Sequence, residues 1–173
     1  MVKRIAIFGN AGGGKTTLAR RLSEIYALEV THVDGIQFLA GFESRPKDET
    51  RALLNAKADE EAWIIDGFGE FNVMTYRFRL ADVIIHVDFP LWRHCWWTIK
   101  RQVKAFWETR AELPEGCSEK GLAHTLLVFK AVRFVHCEYE PELKQMIQHL
   151  GLQDKVVRVR SMSDWKRVYS GDL

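Results

Sequence analysis

Cysteine is scarce in this sequence, and the few cysteines present form no recognisable framework. There are three in 173 residues, at Cys95, Cys117 and Cys137. Their number is odd and no C-x-x-C pair occurs, so neither a disulfide-stapled fold nor a zinc ribbon is indicated. No apolar run reaches the roughly 20 residues that span a bilayer, and the N-terminus shows no apolar signal-peptide region. We therefore expect a cytoplasmic protein without a membrane-spanning segment.

Excess charge of one sign is also lacking. The formal net charge is +2, from 25 basic and 23 acidic residues. This excess is too small to indicate nucleic-acid binding by itself. Internal repeats and low-complexity segments are absent, and the composition (47% hydrophobic, 28% charged) is that of a globular protein. The length suits one domain with a sizeable core, so we expect residues 1–173 to form a single domain.

What the sequence does contain is a glycine-rich motif close to its start. The motif has the form G-x-x-x-x-G-K-[ST], which is the phosphate-binding loop of nucleotide-binding proteins. Glycines let such a loop approach a ligand closely, so that its N–H groups bind phosphate oxygens. Lys15 is then the cation for the β- and γ-phosphates, and the Thr16 hydroxyl is a ligand for Mg²⁺. The predicted nucleotide-binding residues are Gly9, Asn10, Ala11, Gly12, Gly13, Gly14, Lys15, Thr16 and Thr17.

The flanking sequence has the order that this motif requires. Residues 3–8 form a short apolar run rich in β-branched side chains, which predicts a buried parallel strand. Leu18, Leu22 and Ile25 follow at helical spacing. A strand, a glycine loop and a helix therefore succeed one another, and the helix would direct its N-terminal dipole at the phosphates.

Two aspartates end later strands and are candidates for the chemistry. Asp66 closes the apolar run Trp63–Ile65, which is typical of the second phosphate-loop motif, whose carboxylate holds Mg²⁺ beside the loop threonine. Asp34 follows the predicted strand 29–33, where it would orient a Mg²⁺-bound water or act on an acceptor hydroxyl. A turn or N-cap role explains Asp34 equally well. His32 is interpreted as a packing residue.

The remaining pattern predicts five β–α units. Further strands are expected at 81–88 and 155–160, and helices at 47–58, 91–109, 122–139, 141–150 and 164–169. This order predicts an α/β fold with a parallel, doubly wound sheet. Residues 35–60 read as an insertion on the acceptor side, and residues 108–120 as a lid.

The helix predicted at 91–109 carries two stripes. One is apolar and is expected to be core; it contains Trp92, Trp96, Ile99 and Val103. The other is basic, with Arg93, Lys100, Arg101 and Lys104, and it is either a solvated face or a surface that meets phosphates.

The chain resembles the bacterial P-loop family related to adenylate kinase and called "DNA topology modulation protein" (FlaR-type). The resemblance is carried by the phosphate loop, by residues 32–46 and 63–67, and by an arginine, Arg77, five residues before Asp82. Its most specific part is Thr109-Arg110 with residues 115–119 (EGCSE), which is similar to the family's lid. True adenylate kinases continue the Asp-Gly pair with Phe-Pro-Arg. Here Phe68-Gly69-Glu70 stands instead, which argues against AMP as the acceptor.

The resemblance implies a nucleoside-monophosphate-kinase-like, three-layer α/β/α fold with a lid, and an ATP-dependent phosphotransferase that uses Mg²⁺. It implies that Arg101 and Arg110 clamp the transferred phosphoryl group, and that Arg45 and Arg77 face the acceptor. Asp34 would be the base if the acceptor is a hydroxyl.

The expected activity is therefore nucleotide kinase activity, with ATP and a small-molecule acceptor as the binding partners. Two alternatives remain open. One is a nucleotide-dependent regulatory or nucleic-acid-associated protein, although the sequence shows no DNA-reading motif. The other is a small-metabolite kinase of the shikimate or gluconate type, with a hydroxyl acceptor.

Overall fold

Five parallel strands form one sheet in this computed structural model, which describes residues 2–105 and 122–173. The strands are β1 (Arg4–Gly9), β2 (Val30–His32), β3 (Trp63–Asp66), β4 (Val83–Val87) and β5 (Val156–Val159). Their order in the sheet is β2-β3-β1-β4-β5. The predicted α/β class with a parallel five-stranded sheet is confirmed. Because all strands run in the same direction, their carboxyl ends meet at one edge.

Eight α-helices connect the strands within the described residues. They are α1 (Lys15–Tyr26), α2 (Val33–Gln37), α3 (Lys47–Asp59), α4 (Phe71–Leu80), α5 (Leu91–Ala105), α6 (Leu122–Phe134), α7 (Glu140–His149) and α8 (Met162–Tyr169). Two short 3₁₀ turns lie at Ala40–Phe42 and Gln153–Lys155. A π-helical segment, Val135–Tyr139, joins α6 to α7. The chain is therefore helical on both sides of Pro141, where two separate helices were predicted.

The three inner strands, β1, β3 and β4, are buried on both faces, and their side chains divide between two cores. In β1, Ala6 and Phe8 face a core formed with α3, α4 and α7. Ile5 and Ile7 face the opposite core, formed with α1 and α8. This alternation places helices on both sides of the sheet, which gives the three-layer arrangement.

Two predicted element boundaries were wrong. The second strand ends at His32, and Asp34 lies in the first turn of α2. The start of the predicted acceptor-side insertion, residues 35–60, contains the rest of that helix and the turn at Ala40–Phe42. An isolated antiparallel bridge, Phe38 to Ser44, closes this turn. Local backbone hydrogen bonds thus order a segment whose sequence lacks an apolar period.

The predicted core face of α5 was also wrong. Trp92 is 64% exposed and Trp96 is 51% exposed, and Ile99 and Val103 are exposed as well. The buried face of this helix carries His94, Thr98 and Gln102. The helix is amphipathic, but its polar face points inward because it packs against the polar phosphate loop.

Candidate active site

The loop between β1 and α1 has the geometry of a phosphate-binding loop. Gly12 and Gly14 have left-handed φ angles of 75° and 78°, which glycine adopts without strain. Gly14 is the N-cap of α1, a helix of 12 residues, and leaves the first N–H groups of the helix without side-chain caps. Such N–H groups bind anions, and the helix dipole adds to the attraction. The loop can therefore hold a polyphosphate.

Lys15 is positioned by the loop itself. Its Nζ donates to the carbonyl oxygen of Asn10 at 3.0 Å, so the ammonium group lies across the loop. The side chain is half-buried. This places a cation at the position where a bound phosphate chain needs one.

Thr16 and Asp66 meet at the carboxyl edge of the sheet. The Thr16 hydroxyl donates to Asp66 Oδ2 at 3.0 Å. Asp66 is 5% exposed, and its Oδ1 is buried without a hydrogen-bond partner among the described residues. A buried carboxylate oxygen without a partner is costly unless a cation binds it. A hydroxyl and an acidic oxygen are ligands that Mg²⁺ prefers, so this pair fits the metal.

His32 contacts the same carboxylate, which its interpretation as a packing residue did not anticipate. Its Nδ1 lies 3.2 Å from Asp66 Oδ2, and the ring is partly exposed. The sequence could have predicted this contact, because His32 and Asp66 each end a strand and the carboxyl ends of parallel strands meet at one edge of the sheet. The register pairs the two residues directly.

The phosphate loop is anchored from two further helices. Asn10 is fully buried, and its Nδ2 donates to the Val132 carbonyl of α6 at 2.7 Å. His94 Nδ1 lies 2.9 Å from the Ala11 carbonyl, so this nitrogen carries the proton and donates. Thr98 lies one turn further along α5, and its Oγ1 would be 3.0 Å from a Cβ placed on Gly12. This anchor was not predicted from the sequence. A polar side chain at every fourth residue of α5 (94, 98 and 102) marks a polar helix face and could have indicated it.

The buried His94 should make the protein sensitive to acid. Burial lowers the pKa of His94 below its usual value of 6.5, so the unfolded chain binds this proton more tightly than the folded chain. Stability therefore falls as the pH falls below 6.5, and it levels off once the folded state also binds the proton. We expect urea unfolding to show a smaller loss of stability between about pH 7.5 and 5.5 in His94→Gln than in the wild type. Glutamine keeps an N–H donor for Ala11, so equal losses in the two proteins would contradict this assignment.

A cavity of about 380 Å³ opens beyond Asp66. Its walls begin at Phe68 and Gly69, directly after the Asp66-Gly67 pair, and continue onto α3, α4 and the π-helical segment. The Tyr139 hydroxyl donates to the Gly69 carbonyl and so joins the π-helical segment to the residues after β3 within the cavity wall. The lining residues are Gln37, Ser44, Arg45, Lys47, Thr50, Arg51, Leu54, Phe68, Gly69, Glu70, Val73, Phe134, Val135 and Tyr139.

The cations of this cavity are balanced by carboxylates. Arg45 Nη1 lies 2.5 Å from Glu49 Oε1, and its Nε donates to the Ile36 carbonyl. Arg51 Nη2 lies 3.0 Å from Glu70 Oε2, and this hydrogen bond lowers the pKa of Glu70. The cavity therefore combines apolar and aromatic walls with a rim of paired charges.

The other predicted site residues have different surroundings. Arg77 is 1% exposed, and its Nη2 donates to the Gly67 carbonyl at 2.7 Å. Burial lowers the pKa of Arg77 to about 10, and the nearby Asp66 opposes this shift. Arg77 thus holds the turn after Asp66, and its contact with an acceptor stays a prediction. Asp34 and Arg101 are partly buried on α2 and α5, and their proposed roles also stay predictions.

Two predictions lie outside the described residues: Arg110 and the lid at 108–120. On the described part of α5, Arg93 stacks over the rings of Phe89, Trp92 and Trp97, and Lys100 lies over Trp96. Part of the basic stripe therefore covers exposed aromatic rings. Among the described helices, none is both long enough and apolar enough to cross a membrane.

Comparison with solved structures identifies the fold. A shikimate kinase from Bacteroides thetaiotaomicron superposes with a TM-score of 0.55 over 99% of this chain and 96% of its own, at 13% identity. The chain has a P-loop kinase fold. Shikimate kinases from Acinetobacter baumannii, in complex with shikimate, and from Aquifex aeolicus are also similar. They have TM-scores of 0.48 and 0.41, identities of 19% and 15%, and cover 90% and 77% of this chain and 96% and 80% of their own.

Comparisons of the sequence itself gave no relative. No protein-family model matches the chain, and no curated protein matches it. The structural likeness supports the kinase-like fold that the resemblance implied. The specific resemblance to the topology-modulation family remains a prediction.

Proposed function

We propose that this protein is an ATP-dependent phosphotransferase that acts on a small molecule. The proposal depends on a phosphate site that lies next to a cavity. The phosphate site consists of the phosphate loop and the Thr16–Asp66 pair. The cavity begins two residues after Asp66. A donor phosphate on the loop would thus lie beside a space of suitable size for an acceptor.

In-line phosphoryl transfer needs positioning and charge neutralisation more than covalent chemistry. The loop N–H groups would hold the β-phosphate, and Lys15 would neutralise charge on the transferred group. Thr16 and Asp66 would hold Mg²⁺, which would neutralise negative charge on the phosphates. His94 would hold the loop at the Ala11 carbonyl, and Asn10 would tie the loop to the Val132 carbonyl of α6. Both contacts would keep the loop in its binding conformation.

The acceptor is proposed to be a small hydroxylated molecule. The arginines of the cavity already have carboxylate partners, so a nucleoside monophosphate dianion would have to compete with Glu49 and Glu70. A hydroxylated molecule with little charge fits the apolar walls without that competition. The structural neighbours are named shikimate kinases, which supports the same class. Asp34 is the proposed base for the acceptor hydroxyl.

A nucleoside monophosphate is the second candidate. Arg45, Lys47 and Arg51 all line the cavity, and such a group of cations suits a phosphate. An acceptor phosphate also needs no base, so Asp34 would then be dispensable for turnover. The effect of Asp34→Asn on kcat separates the two candidates.

An acceptor screen tests the proposal. Protein and MgATP are incubated with hydroxy acids (shikimate first), polyols, nucleosides and nucleoside monophosphates, and ADP release is measured. We expect one class to stimulate release. In Gly69→Leu the KM for that acceptor should rise about tenfold or more, with the KM for ATP unchanged. A Cβ at Gly69 has ordinary contacts, the nearest at 3.7 Å, so the added side chain narrows the cavity without strain at its base.

Lys57→Ala is the matched surface control, because Lys57 pairs with Glu60 and Glu29 at the other end of α3. If MgATP binds and no acceptor stimulates ADP release, the kinase assignment is wrong. The result would then favour a nucleotide-dependent regulatory or nucleic-acid-associated protein. That alternative requires nucleic-acid binding that weakens steeply as salt is raised.

A further inference from the structure

A second cluster of polar side chains lies at the carboxyl end of β4, apart from Thr16 and Asp66. It consists of His86 on β4, Asp88 just after it, and Glu140 at the start of α7. One ligand atom from each lies within 4.8 Å of the other two. His86 Nε2 is 3.8 Å from Glu140 Oε1 and 4.0 Å from Asp88 Oδ1. We call these three residues the β4 cluster.

Two atoms of the β4 cluster are buried without partners. His86 is 1% exposed and Glu140 is 2% exposed. His86 Nε2 and Glu140 Oε1 have no hydrogen-bond partner among the described residues. Their separation of 3.8 Å is too long for a direct hydrogen bond. Leaving a buried carboxylate oxygen and a ring nitrogen unpaired costs free energy, so a bound group that satisfies both is expected.

The surroundings orient His86 and hold Asp88. The His86 ring stacks on Phe8 at 4.3 Å with an angle of 6° between the planes, which fixes the direction of Nε2. Lys144 Nζ donates to Asp88 Oδ1 at 3.2 Å, so a lysine holds one of the oxygens that face His86. His136 Nδ1 lies 3.8 Å from the other oxygen of Glu140, Oε2, and does not contact Oε1.

We infer that the β4 cluster binds a divalent transition-metal ion of the Zn²⁺ type through His86 Nε2, Glu140 Oε1 and Asp88 Oδ1. An ion equidistant from these atoms would lie about 2.1–2.5 Å from each, near the roughly 2.0–2.2 Å of zinc bonds to nitrogen and oxygen. One imidazole and two carboxylates are ligands that suit Zn²⁺ and Co²⁺ better than Mg²⁺. The inference does not depend on the proposed kinase activity.

A second cavity lies beside the β4 cluster. This cavity of about 190 Å³ reaches His86 from the side of α7 and β5, and Lys144, Gln148 and Arg158 also line it. Lys144 is partly exposed, so its flexible side chain can leave Asp88 for solvent. The lysine therefore competes with the ion for the same oxygen. Removing its charge should raise the affinity for the metal.

Co²⁺ is the probe, because its visible absorption reports nitrogen and oxygen ligands. Chelator-treated protein without nucleotide is titrated with Co²⁺ and followed by absorption and by equilibrium dialysis. The titration uses the Asp66→Asn background, which removes the divalent-cation site at Thr16 and Asp66. We expect one equivalent to bind, with affinity lowered at least tenfold when His86→Gln or Glu140→Gln is added. In Lys144→Gln the affinity should rise, because the competing cation is removed. Folding of each variant is checked by circular dichroism, and Asp88→Asn replaces any variant that does not fold.

Two control variants in the same background separate this site from other ligands. His149→Gln removes an exposed histidine of α7, and Cys137→Ser removes an exposed thiol. Both should keep the bound equivalent. Absence of a bound equivalent, or binding that survives both His86→Gln and Glu140→Gln, would overturn the inference.

Discussion

Replacing Lys15 by alanine is expected to lower kcat for phosphoryl transfer by about a thousandfold or more while the fold remains intact. The lysine is half-buried, and its Nζ is held on the Asn10 carbonyl at 3.0 Å, so its charge is already in place before the nucleotide binds. A charge that needs no reorganisation stabilises developing charge strongly in the transition state. Its removal leaves the transferred group without the lysine cation, so only the loop N–H groups and the proposed Mg²⁺ would offset its charge.

The same variant has a readout that does not depend on knowing the acceptor. MgATP that binds only the folded state raises Tm, and weaker binding lowers this shift. We expect the MgATP-dependent rise in Tm to be strongly reduced in Lys15→Ala and unchanged in Lys57→Ala, with both proteins equally stable without nucleotide. A folded Lys15→Ala protein with near-wild-type turnover would show that the phosphate loop does not carry the chemistry.

The parts of this molecule that sequence predicted well are those set by local order along the chain. A strand, four glycines and a helix define the phosphate loop, and an apolar strand that ends in Asp66 defines its partner. The parallel sheet then brings Thr16 and Asp66 together, because the phosphate loop leaves the carboxyl end of β1 and Asp66 ends the neighbouring strand β3. Motif and topology were sufficient to place these two residues at one site.

The errors on α5 and around Asp34 have different physical causes. Amphipathic patterning assumes that the neighbour of a helix is apolar. The inner neighbour of α5 is the phosphate loop, whose carbonyls need donors, so His94 is buried and Trp92 is exposed. Near Asp34, backbone hydrogen bonds form a five-residue helix that is too short to show a helical pattern of apolar side chains.

The cavity was beyond prediction for a different reason. Its walls come from residues 37–54, 68–73 and 134–139, which are distant in sequence. The charge of an arginine can be read from the chain, but its partner cannot. Arg51 and Glu70 pair only when α3 packs beside the start of α4. Arg77 becomes a buried support of the Gly67 turn only when α4 packs against the sheet.

The largest loss of stability is expected for Gly9→Ala. Gly9 has φ of 135°, and a Cβ built on it would lie 2.3 Å from the Val87 carbonyl oxygen. That oxygen belongs to the backbone of β4, which pairs with β1 at this residue, so relief requires the two central strands to separate. We expect a loss of about 3–5 kcal/mol in the free energy of unfolding, measured by urea denaturation.

Gly151→Ala separates the two parts of this effect. Gly151 also has a positive φ, 66°, but a Cβ there meets nothing within 4 Å. It should therefore cost only the backbone strain, about 1–2 kcal/mol. If Gly9→Ala cost no more than Gly151→Ala, the contact with Val87 would be easily relieved. The close approach of β1 and β4 would then not be what fixes the start of the phosphate loop. A cost well above the control means that the glycine serves strand packing as well as nucleotide binding, because the same residue ends β1 and opens the loop.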